Sequence, residues 1–493
     1  MVIQRPDQPV EDEYADVPEW PRWALDRHRA KMLRPAEAVP EVRYDENRAS
    51  VYRAPSQTVY LAEHLLMPQR DVRRLTNPDN INNPINVVLS ELGVALEPPS
   101  LPDELDHLPF PVRIMPLDLA QRTARALPVV DAWPVLQRLR EEAAAGGRIS
   151  EPTDRSAVDG TSLEHLLVGA VLAGVPTYSP NGPHASVGGG YGAYPMLSPY
   201  GRLPAASPVR PQRTDVVPEG CRRPVVAVLD TGVAEHEWFG ELGTTGAVVR
   251  PEVVRAELLK GRYPWETTSV LTSTADLPIT TDTVSNDINS AYGHGTFIAG
   301  IIHQHAPDAE VVMMRVLRSD NVAHEGDVLV GLAMLPTNVD VIVLSLGYYS
   351  ESVNAALYTS AMTKTIKDLV DRGVRVVAAA GNDATTRPFY PGALSRAKLV
   401  RAVGALNPNG TRAWFSNQGD YVTDWRPGAC VISTYPKVTG SGGVTRRVET
   451  RDFIRETVDP DDYSNGFSMW SGTSFAAPVL AAELARDMGF LKT

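Results

Sequence analysis

The chain has 493 residues, of which 43% are hydrophobic and 22% charged, and it contains only two cysteines. This apolar content supports packed domains and excludes wholesale disorder, while two cysteines exclude a disulfide scaffold. A formal net charge of −12 argues against sequence-independent binding to nucleic acid, because such binding needs an excess of basic residues. At roughly 100–200 residues per domain, the length predicts two to four domains.

The first twenty residues are acidic and contain no apolar run, unlike a secretory signal peptide. The longest apolar stretch, residues 166–175, is too short to cross a bilayer and is predicted to be a buried helix. The two thiols, Cys221 and Cys430, lie far apart in the sequence and are predicted to be buried and not joined in a disulfide. The sequence therefore predicts a cytoplasmic protein without a membrane segment.

Three regions precede the second half of the chain. Residues 1–50 are rich in proline and charge and are predicted to form an extended arm. Residues 51–175 alternate short apolar strands with amphipathic helices, which predicts an α+β domain; one of its helices should begin after Asp131 and end before Gly146. Residues 176–221 contain too much proline and glycine to sustain a helix or a sheet and are predicted to be a linker.

Residues 222–493 have a different pattern. Near-continuous apolar runs alternate with helical stretches, as in a sheet of buried parallel strands joined by crossover helices. The apolar runs cover residues 224–229, 311–314, 339–345 and 374–378. The sequence therefore predicts a doubly wound α/β domain, in which functional residues collect at the carboxyl ends of the strands.

Three short polar motifs lie at such strand ends or helix starts. The first strand runs into Asp230, His294 opens a helical stretch between two glycines, and Ser474 opens another helical stretch. Serine becomes a strong nucleophile when an imidazole accepts its proton, and the imidazole needs a carboxylate to fix its tautomer. Each motif alone could be a turn, an ordinary histidine or a helix cap, but together they predict an Asp-His-Ser triad.

Over about residues 222–493 the chain resembles the subtilisin-like serine proteases, the subtilases of peptidase family S8. The order Asp, His, Ser is that of the family, and further stretches match its landmarks: residues 306–317, 338–347, 378–382, 390–392 and 414–416. The resemblance implies a subtilisin-like doubly wound parallel sheet flanked by helices. It also implies a serine endopeptidase that cleaves peptide or protein substrates without a cofactor.

The resemblance implies a role for each site residue. Ser474 would attack the scissile carbonyl, His294 would transfer the proton, and Asp230 would orient His294. The Asn382 side chain and the Ser474 backbone N–H would hold the oxyanion. An extended substrate would be bound by four residues, Ser345, Leu346, Gly347 and Gly381.

The chain departs from the family pattern beside these motifs. An insert around residues 241–290 separates the aspartate from the histidine, and Phe297 stands where relatives often carry a second histidine. The segment after the histidine helix is short, so the loop that holds a structural Ca²⁺ in many relatives is expected to be absent. His303 and His305 form a His-x-His pair without a suitably spaced third ligand, and no metal site is predicted.

Residues 51–175 are predicted to act as a prodomain-like regulatory region. A cytoplasmic protease with an open cleft would degrade proteins of its own cell, so this region is expected to pack against the protease domain. It would restrain that domain until a signal or an activating protein partner arrives, and residues 200–203 of the linker could lie in the cleft as a pseudo-substrate. The alternative is a targeting or adaptor domain that moves freely on its tether.

Two other functions stay open. A catalytically inert module of this fold could bind peptides in its cleft, although all three triad positions are filled. An aspartic protease could use Asp230 in its Asp-Thr-Gly motif, but this leaves His294 and Ser474 unexplained. For substrate choice, residues 383–389 are predicted to line the pocket for the residue before the scissile bond, with Arg387 favouring acidic side chains.

Overall fold

The computed structural model describes residues 20, 22–97, 109–117, 129–169, 202–255, 259, 263, 269–274, 291–318, 320–352, 361–440, 443–444 and 446–493. Most of the predicted linker, most of the insert around residues 241–290 and the first nineteen residues lie outside this set. Among the described residues, no helix is long and apolar enough to span a membrane.

The described part of the N-terminal region contains five helices and seven strands. The helices are α1 (Arg22–His28), α2 (Gln69–Thr76), α3 (Pro84–Glu91), α4 (Ala132–Ala143) and α5 (Pro152–Asp159). The strands are β1 (Ala30–Leu33), β2 (Glu41–Tyr44), β3 (Ser50–Arg53), β4 (Thr58–Pro68), β5 (Val94–Leu96), β6 (Pro109–Pro116) and β7 (Ser162–Gly169).

The helix predicted after Asp131 is α4, and the Asp131 side chain caps it by accepting a hydrogen bond from Trp133 N. The antiparallel sheet of this region runs in the order β5-β6-β4-β7, with β1 also paired to β4. A separate apolar core lies between this sheet and the helices, and it includes Leu65, Val88 and Leu136.

The rest of the described chain contains four helices and seventeen strands. The helices are α6 (His294–His305), α7 (Glu325–Ala333), α8 (Ala361–Asp371) and α9 (Thr473–Met488). The strands are β8 (Leu203–Pro204), β9 (Cys221–Arg222), β10 (Val225–Asp230), β11 (Val249–Glu252), β12 (Glu310–Arg315), β13 (Val322–His324), β14 (Val341–Leu344), β15 (Leu346–Tyr349), β16 (Arg375–Ala379), β17 (Phe389–Tyr390), β18 (Arg401–Leu406), β19 (Asp424–Pro427), β20 (Val431–Thr434), β21 (Arg447–Glu449), β22 (Ile454–Glu456), β23 (Phe467–Trp470) and β24 (Leu491–Lys492).

Seven of these strands form one parallel sheet in the order β11-β12-β10-β14-β16-β18-β19. Its central strands are buried along almost their whole length, because helices cover the sheet; α9 packs across β10, β14, β16 and β18. The apolar runs noted in the sequence are β10, β12, β14 and β16, so the predicted doubly wound α/β fold is confirmed.

Strand β7 joins the two regions. Its first half pairs with β4, and its second half pairs antiparallel with β13 and β15, so the N-terminal sheet continues into the α/β domain. Leu66 of β4 and Leu167 of β7 are fully buried in the main core of that domain. The N-terminal region is therefore packed against the α/β domain through both backbone pairing and apolar burial.

Two sequence predictions for the N-terminal region were wrong. Residues 166–169 are the end of a strand rather than part of a helix, and residues 170–175 lie outside the described set. A short apolar run buried on both faces looks the same in either structure, so periodicity could not separate them. Residues 22–53 form α1 and the strands β1 to β3 rather than an extended arm, because these short elements gain their stability by packing on β4 and α4.

Candidate active site

The last residue of β10, Asp230, is fully buried at the carboxyl end of its strand. Its Oδ1 atom accepts a hydrogen bond from the Thr231 backbone N–H at 2.8 Å and another from His294 Nδ1 at 2.7 Å. Asp230 therefore orients the imidazole ring with Nε2 turned away from the carboxylate.

His294 is the first residue of α6 and is also fully buried. Gly293 precedes it with φ of +81°, and a side chain there would collide with the Tyr435 ring. The imidazole packs against the rings of Phe475 and Trp470, with centroid separations of 5.4 and 5.8 Å. Its Nε2 atom has no hydrogen-bond partner in the part of the chain that the structure describes. This nitrogen is therefore free to accept a proton.

Ser474 is the second residue of α9. The residue that follows it, Phe475, packs on the imidazole of His294. The Ser474 hydroxyl donates to the Ser345 carbonyl at 3.1 Å, and the Ser345 hydroxyl donates to the Ser474 carbonyl at 2.9 Å. These reciprocal bonds fix the start of α9 against the residue that precedes β15. In this state the Ser474 hydroxyl is not hydrogen-bonded to His294.

Asn382 lies beside the same helix start. Its Oδ1 atom accepts hydrogen bonds from Thr473 N and Thr473 Oγ1, at 2.9 and 2.8 Å. Its Nδ2 atom is buried and has no partner among the described residues, so an amide donor is left available next to Ser474. Gly381 has φ of +100°, and a side chain there would collide with Asn417, which explains the glycine before this asparagine.

The proposed substrate-binding strand is β15, which begins at Leu346 directly after Ser345. Leu346 pairs with Gly169 of β7, and Gly347 pairs with Val168. A side chain at Gly347 would collide with the Tyr390 carbonyl, so the backbone approaches its neighbours closely at this point. Strand β15, which the sequence assigns to substrate binding, is therefore already paired with β7, a strand of the N-terminal region.

A buried charge cluster lies beside this pairing. His165 of β7 donates from Nδ1 to Glu325 at 2.6 Å and from Nε2 to Glu351 at 2.8 Å. Burial alone would lower the pKa of His165, but the two carboxylates outweigh it and raise the pKa to about 10. Burial would raise the pKa of Glu351, yet His165 holds it well below its usual range. The imidazolium thus links a strand of the N-terminal region to two acidic residues of the α/β domain.

The sequence also gives predictions for Phe297, for metal binding by the histidines of α6, and for the two cysteines. Phe297, in place of a second histidine, is fully buried against Phe475. Burial lowers the pKa of His303 to about 4. Across the described ranges, no group of three or more His, Cys, Asp or Glu side chains is placed to hold a metal ion. The two cysteines are not joined in a disulfide, as predicted, but they are half-buried rather than buried.

Sequence reasoning did not predict the contacts of two residues near this site, Asn321 and Arg202. Asn321 binds Gly169 through its backbone and its side chain. Arg202, within the predicted linker, donates to the Tyr292 carbonyl at 3.1 Å and lies over the rings of Tyr435, Tyr463 and Trp470. Both contacts join segments far apart in the chain, and no local pattern signals them.

The sequence interpretation of Arg387 was wrong. Its guanidinium is buried and donates to the carbonyls of Gln57 and Ser350, and it lies over the Tyr349 ring. Because this group already binds the N-terminal region and β15, it does not present a free charge to an acidic substrate side chain.

Comparisons with known proteins identify the family of the chain. A family model described as the subtilase family matches residues 222–489. The chain is 34% identical over 164 residues to the minor extracellular protease Epr of Bacillus subtilis, covering 30% of this chain and 24% of that protein. It is 34% identical over 157 residues to subtilisin BL of Lederbergia lenta, covering 30% of this chain and 55% of that protein. The chain thus spans 24% of the length of the first relative and 55% of the length of the second.

Two solved structures are also similar. One is a cold-adapted subtilisin-like serine proteinase, with 22% identity, a TM-score of 0.37, and coverage of 55% of this chain and 76% of that one. The other is a mutant of the protease domain of PatA, with 20% identity, a TM-score of 0.36, and coverage of 55% and 81%. The family model matches more than half of the chain and includes every residue of the candidate triad, and the chain belongs to the subtilase family.

Proposed function

We propose that this protein is a serine endopeptidase whose N-terminal region restrains the active site. The observation that supports the proposal is the buried pair of Asp230 and His294, whose imidazole packs on Phe475, the residue that follows Ser474 in α9. Family membership supports the same chemistry. Peptide-bond hydrolysis needs a nucleophile, a base and an oxyanion site, and each has a candidate here.

The proposed reaction begins when the Ser474 hydroxyl turns from the Ser345 carbonyl toward His294 Nε2. Catalytic hydrogen bonds often form only in the substrate complex, so the present orientation is compatible with this step. His294 then accepts the hydroxyl proton as Ser474 attacks the scissile carbonyl, and Asp230 stabilises the resulting imidazolium. His294 returns the proton to the leaving amine, and a water molecule hydrolyses the acyl-enzyme in the second half of the cycle.

The oxyanion that forms during attack needs preorganised donors. Asn382 Nδ2 is available because Thr473 engages only the Oδ1 atom of that side chain. The backbone N–H of Ser474 lies in the first turn of α9, where such groups have no partner within the helix. These two donors would stabilise the negative charge as it develops.

The first test is the Asn382→Ala variant. We expect kcat for peptide hydrolysis to fall by about 10²–10³, with a much smaller change in KM, because the lost donor acts in the transition state. Asn407→Ala, in an exposed turn, is the matched control and should retain normal turnover. An Asn382→Ala enzyme with kcat within about threefold of wild type would remove Asn382 from the oxyanion site.

The restraint proposed for the N-terminal region rests on β7. A substrate bound to a subtilase adds a strand to the edge of a sheet, and here β7 fills that edge between β13 and β15. A substrate following the register of β7 would place the residue after the Gly169 position opposite Ser345, beside Ser474. We therefore propose that β7 occupies the substrate path and that its displacement, by a signal or an activating protein partner, opens the cleft.

The second test displaces β7 through His165. His165→Gln removes the imidazolium that bridges the buried carboxylates of Glu325 and Glu351 and leaves Glu351 with only the weaker influence of the Arg43 charge. Breaking a buried pair in this way typically costs about 3–5 kcal/mol. We expect a fluorophosphonate probe to label Ser474 in this full-length variant at least about 100 times faster than in wild type. His305→Gln, at the far end of α6, is the matched control and should leave the labelling rate unchanged. Equal labelling rates in His165→Gln and wild type would contradict the proposed restraint.

The same cluster predicts how pH affects the restraint. The pKa of His165 is raised on docking, so its contribution is complete below about 6.5, the free value, and is lost as pH rises through about 10. The pKa of Glu351 is lowered, so its contribution is present above about 4.5 and is lost as pH falls. We expect the ratio of labelling rates, His165→Gln over wild type, to be largest between about pH 4.5 and 6.5. A ratio that does not change between about pH 6 and pH 10 would contradict this linkage.

The short segment that follows α6 also gives a test. We expect activity and the melting temperature to change little on addition of EDTA, because this segment is only a short turn before β12. Thermal unfolding with and without EDTA, followed by calcium addition, measures this directly. Rapid inactivation that calcium reverses would reveal a site outside the described residues.

Two alternatives predict different inhibitors. A catalytically inert module would bind peptides without reacting with the fluorophosphonate probe. An aspartic protease would be inhibited by pepstatin-like compounds, but Oδ1 of Asp230 is engaged by His294, which favours the serine mechanism. The cytoplasmic location and the identity of an activating partner stay predictions from the sequence.

A further inference from the structure

Asn321 binds Gly169, which is the last residue of β7. The Gly169 N–H donates to the Asn321 carbonyl at 3.2 Å, and the Asn321 side-chain Nδ2 donates to the Gly169 carbonyl at 3.1 Å. Leu346 pairs with Gly169 from the other side. A single asparagine therefore binds both backbone groups of the residue at this position.

The same asparagine leaves no room for a side chain there. A methyl group on Gly169 would collide with Asn321 Oδ1 and approach Leu317 Cδ1 to 3.2 Å. The Asn321 side chain could turn away only by giving up its hydrogen bond to the Gly169 carbonyl. Leu317 is fully buried in the main core, so it has little space to retreat.

The backbone conformation around Asn321 orients its side chain for this contact. Asn321 has φ of +67°, a left-handed conformation that asparagine and glycine tolerate better than other residues. Two backbone hydrogen bonds close the turn, from Asn321 N to the Arg318 carbonyl and from Arg318 N to the Val322 carbonyl. The turn thus fixes the side chain directly ahead of β13, which pairs with β7.

We infer that Asn321 is a specificity-determining residue that restricts the second substrate position before the scissile bond to glycine. The inference rests on the proposed function, because it takes the register of β7 as the path of a substrate. One additional carbon atom that a site must accommodate typically changes kcat/KM by about 10–200-fold.

The test uses the full-length protein and three peptides that carry the sequence of residues 164–175, each with a lysine at both ends for solubility. The peptides have glycine, alanine or leucine at the position of Gly169. We expect kcat/KM to fall by at least about tenfold from glycine to alanine and further for leucine. The comparison uses ratios within one enzyme preparation, so the fraction of molecules with an open cleft cancels.

The Asn321→Gly variant removes the obstructing side chain and tolerates the positive φ. In this variant the glycine and alanine peptides should be cleaved within about a factor of three of each other. Asn407→Gly, in an exposed turn, is the control and should keep the wild-type preference. Peptides that vary the position of Val168, which is half-buried, should show a weaker dependence on side-chain size than those that vary the glycine.

The possible outcomes distinguish failure of the inference about Asn321 from failure of the proposed protease function. Equal cleavage of the glycine and alanine peptides by wild type, or an unchanged glycine preference in Asn321→Gly, overturns the inference and leaves the proposed protease function in place. Labelling of Ser474 by a fluorophosphonate without cleavage of the glycine peptide overturns the substrate register and the inference with it. A folded protein that is neither labelled nor cleaves any of the peptides overturns the proposed function itself.

Discussion

Replacement of Ser474 by alanine should lower kcat for peptide hydrolysis by about 10⁶, the scale of loss when the nucleophile of a serine protease triad is removed. The remaining groups, His294 and Asn382, have no nucleophile to activate or covalent intermediate to stabilise. The Ser474 hydroxyl makes one hydrogen bond, to the Ser345 carbonyl, among the described residues, so its loss should cost only about 1 kcal/mol of folding stability. The measurement is kcat with a peptide substrate alongside thermal unfolding.

The same variant tests whether the chain cleaves itself. A substrate in the register of β7 would be cut after position 170, so wild-type protein should yield a fragment that begins at Val171. The Ser474→Ala chain should stay at full length under the same conditions, as judged by intact mass. Ser207→Ala, on an exposed segment, serves as the control and should behave as wild type. Turnover by Ser474→Ala within about tenfold of wild type would show that another residue is the nucleophile.

The parts of the fold that the sequence could predict depend on local patterns. The apolar run that forms β10 ends at Asp230, and a parallel sheet buries such a strand on both faces, so the pattern identifies both the strand and its functional end. The glycines on both sides of His294 mark places where the backbone lies too close to its neighbours for a side chain to fit. These constraints act within a few residues, which is why single-sequence reasoning recovered them.

The parts that it could not predict depend on pairing between distant segments. His165 lies 160 positions from Glu325 and 186 from Glu351, and the cluster forms only because β7 docks on the α/β domain. An apolar run such as residues 166–169 contains no information about its partner strand. The same is true of Asn321, whose importance depends on the register between β7 and β15. Specificity and restraint are therefore less visible in this sequence than the catalytic chemistry.

The contacts of Arg202 are another example of structure that the sequence pattern does not predict. The hypothesis that residues 200–203 lie in the cleft as a pseudo-substrate stays a prediction, because residues 200 and 201 lie outside the described set. Leu203 and Pro204 pair with β23, and the Arg202 guanidinium packs among aromatic rings that also contact the triad histidine through Trp470. A proline-rich composition indicates a chain without its own regular structure, but it does not exclude a segment that is held by contacts with the rest of the protein.

Asp230→Asn should lower kcat by about 10⁴ while leaving the fold intact, as expected from the serine protease template. Asp230 Oδ1 accepts one hydrogen bond from Thr231 N and one from His294 Nδ1. Asparagine has the same shape, but both of these bonds end on the same oxygen atom. If the amide nitrogen takes that position, it donates to His294 Nδ1 and places the imidazole proton on Nε2, and the bond from Thr231 N is lost. If the carbonyl oxygen takes it, the side chain no longer carries the negative charge that stabilises the imidazolium.

An imidazole with its proton on Nε2 cannot accept the proton of Ser474, so the nucleophile would remain a neutral hydroxyl. The loss should therefore appear in kcat and in the rate of fluorophosphonate labelling, with little change in the melting temperature. Asp420→Asn, in an exposed ion pair with Arg396, is the matched control, because it makes the same chemical change away from the triad. If Asp230→Asn were labelled at close to the wild-type rate, the imidazole would not depend on Asp230 for its tautomer, and His294 would need a different partner in the reaction.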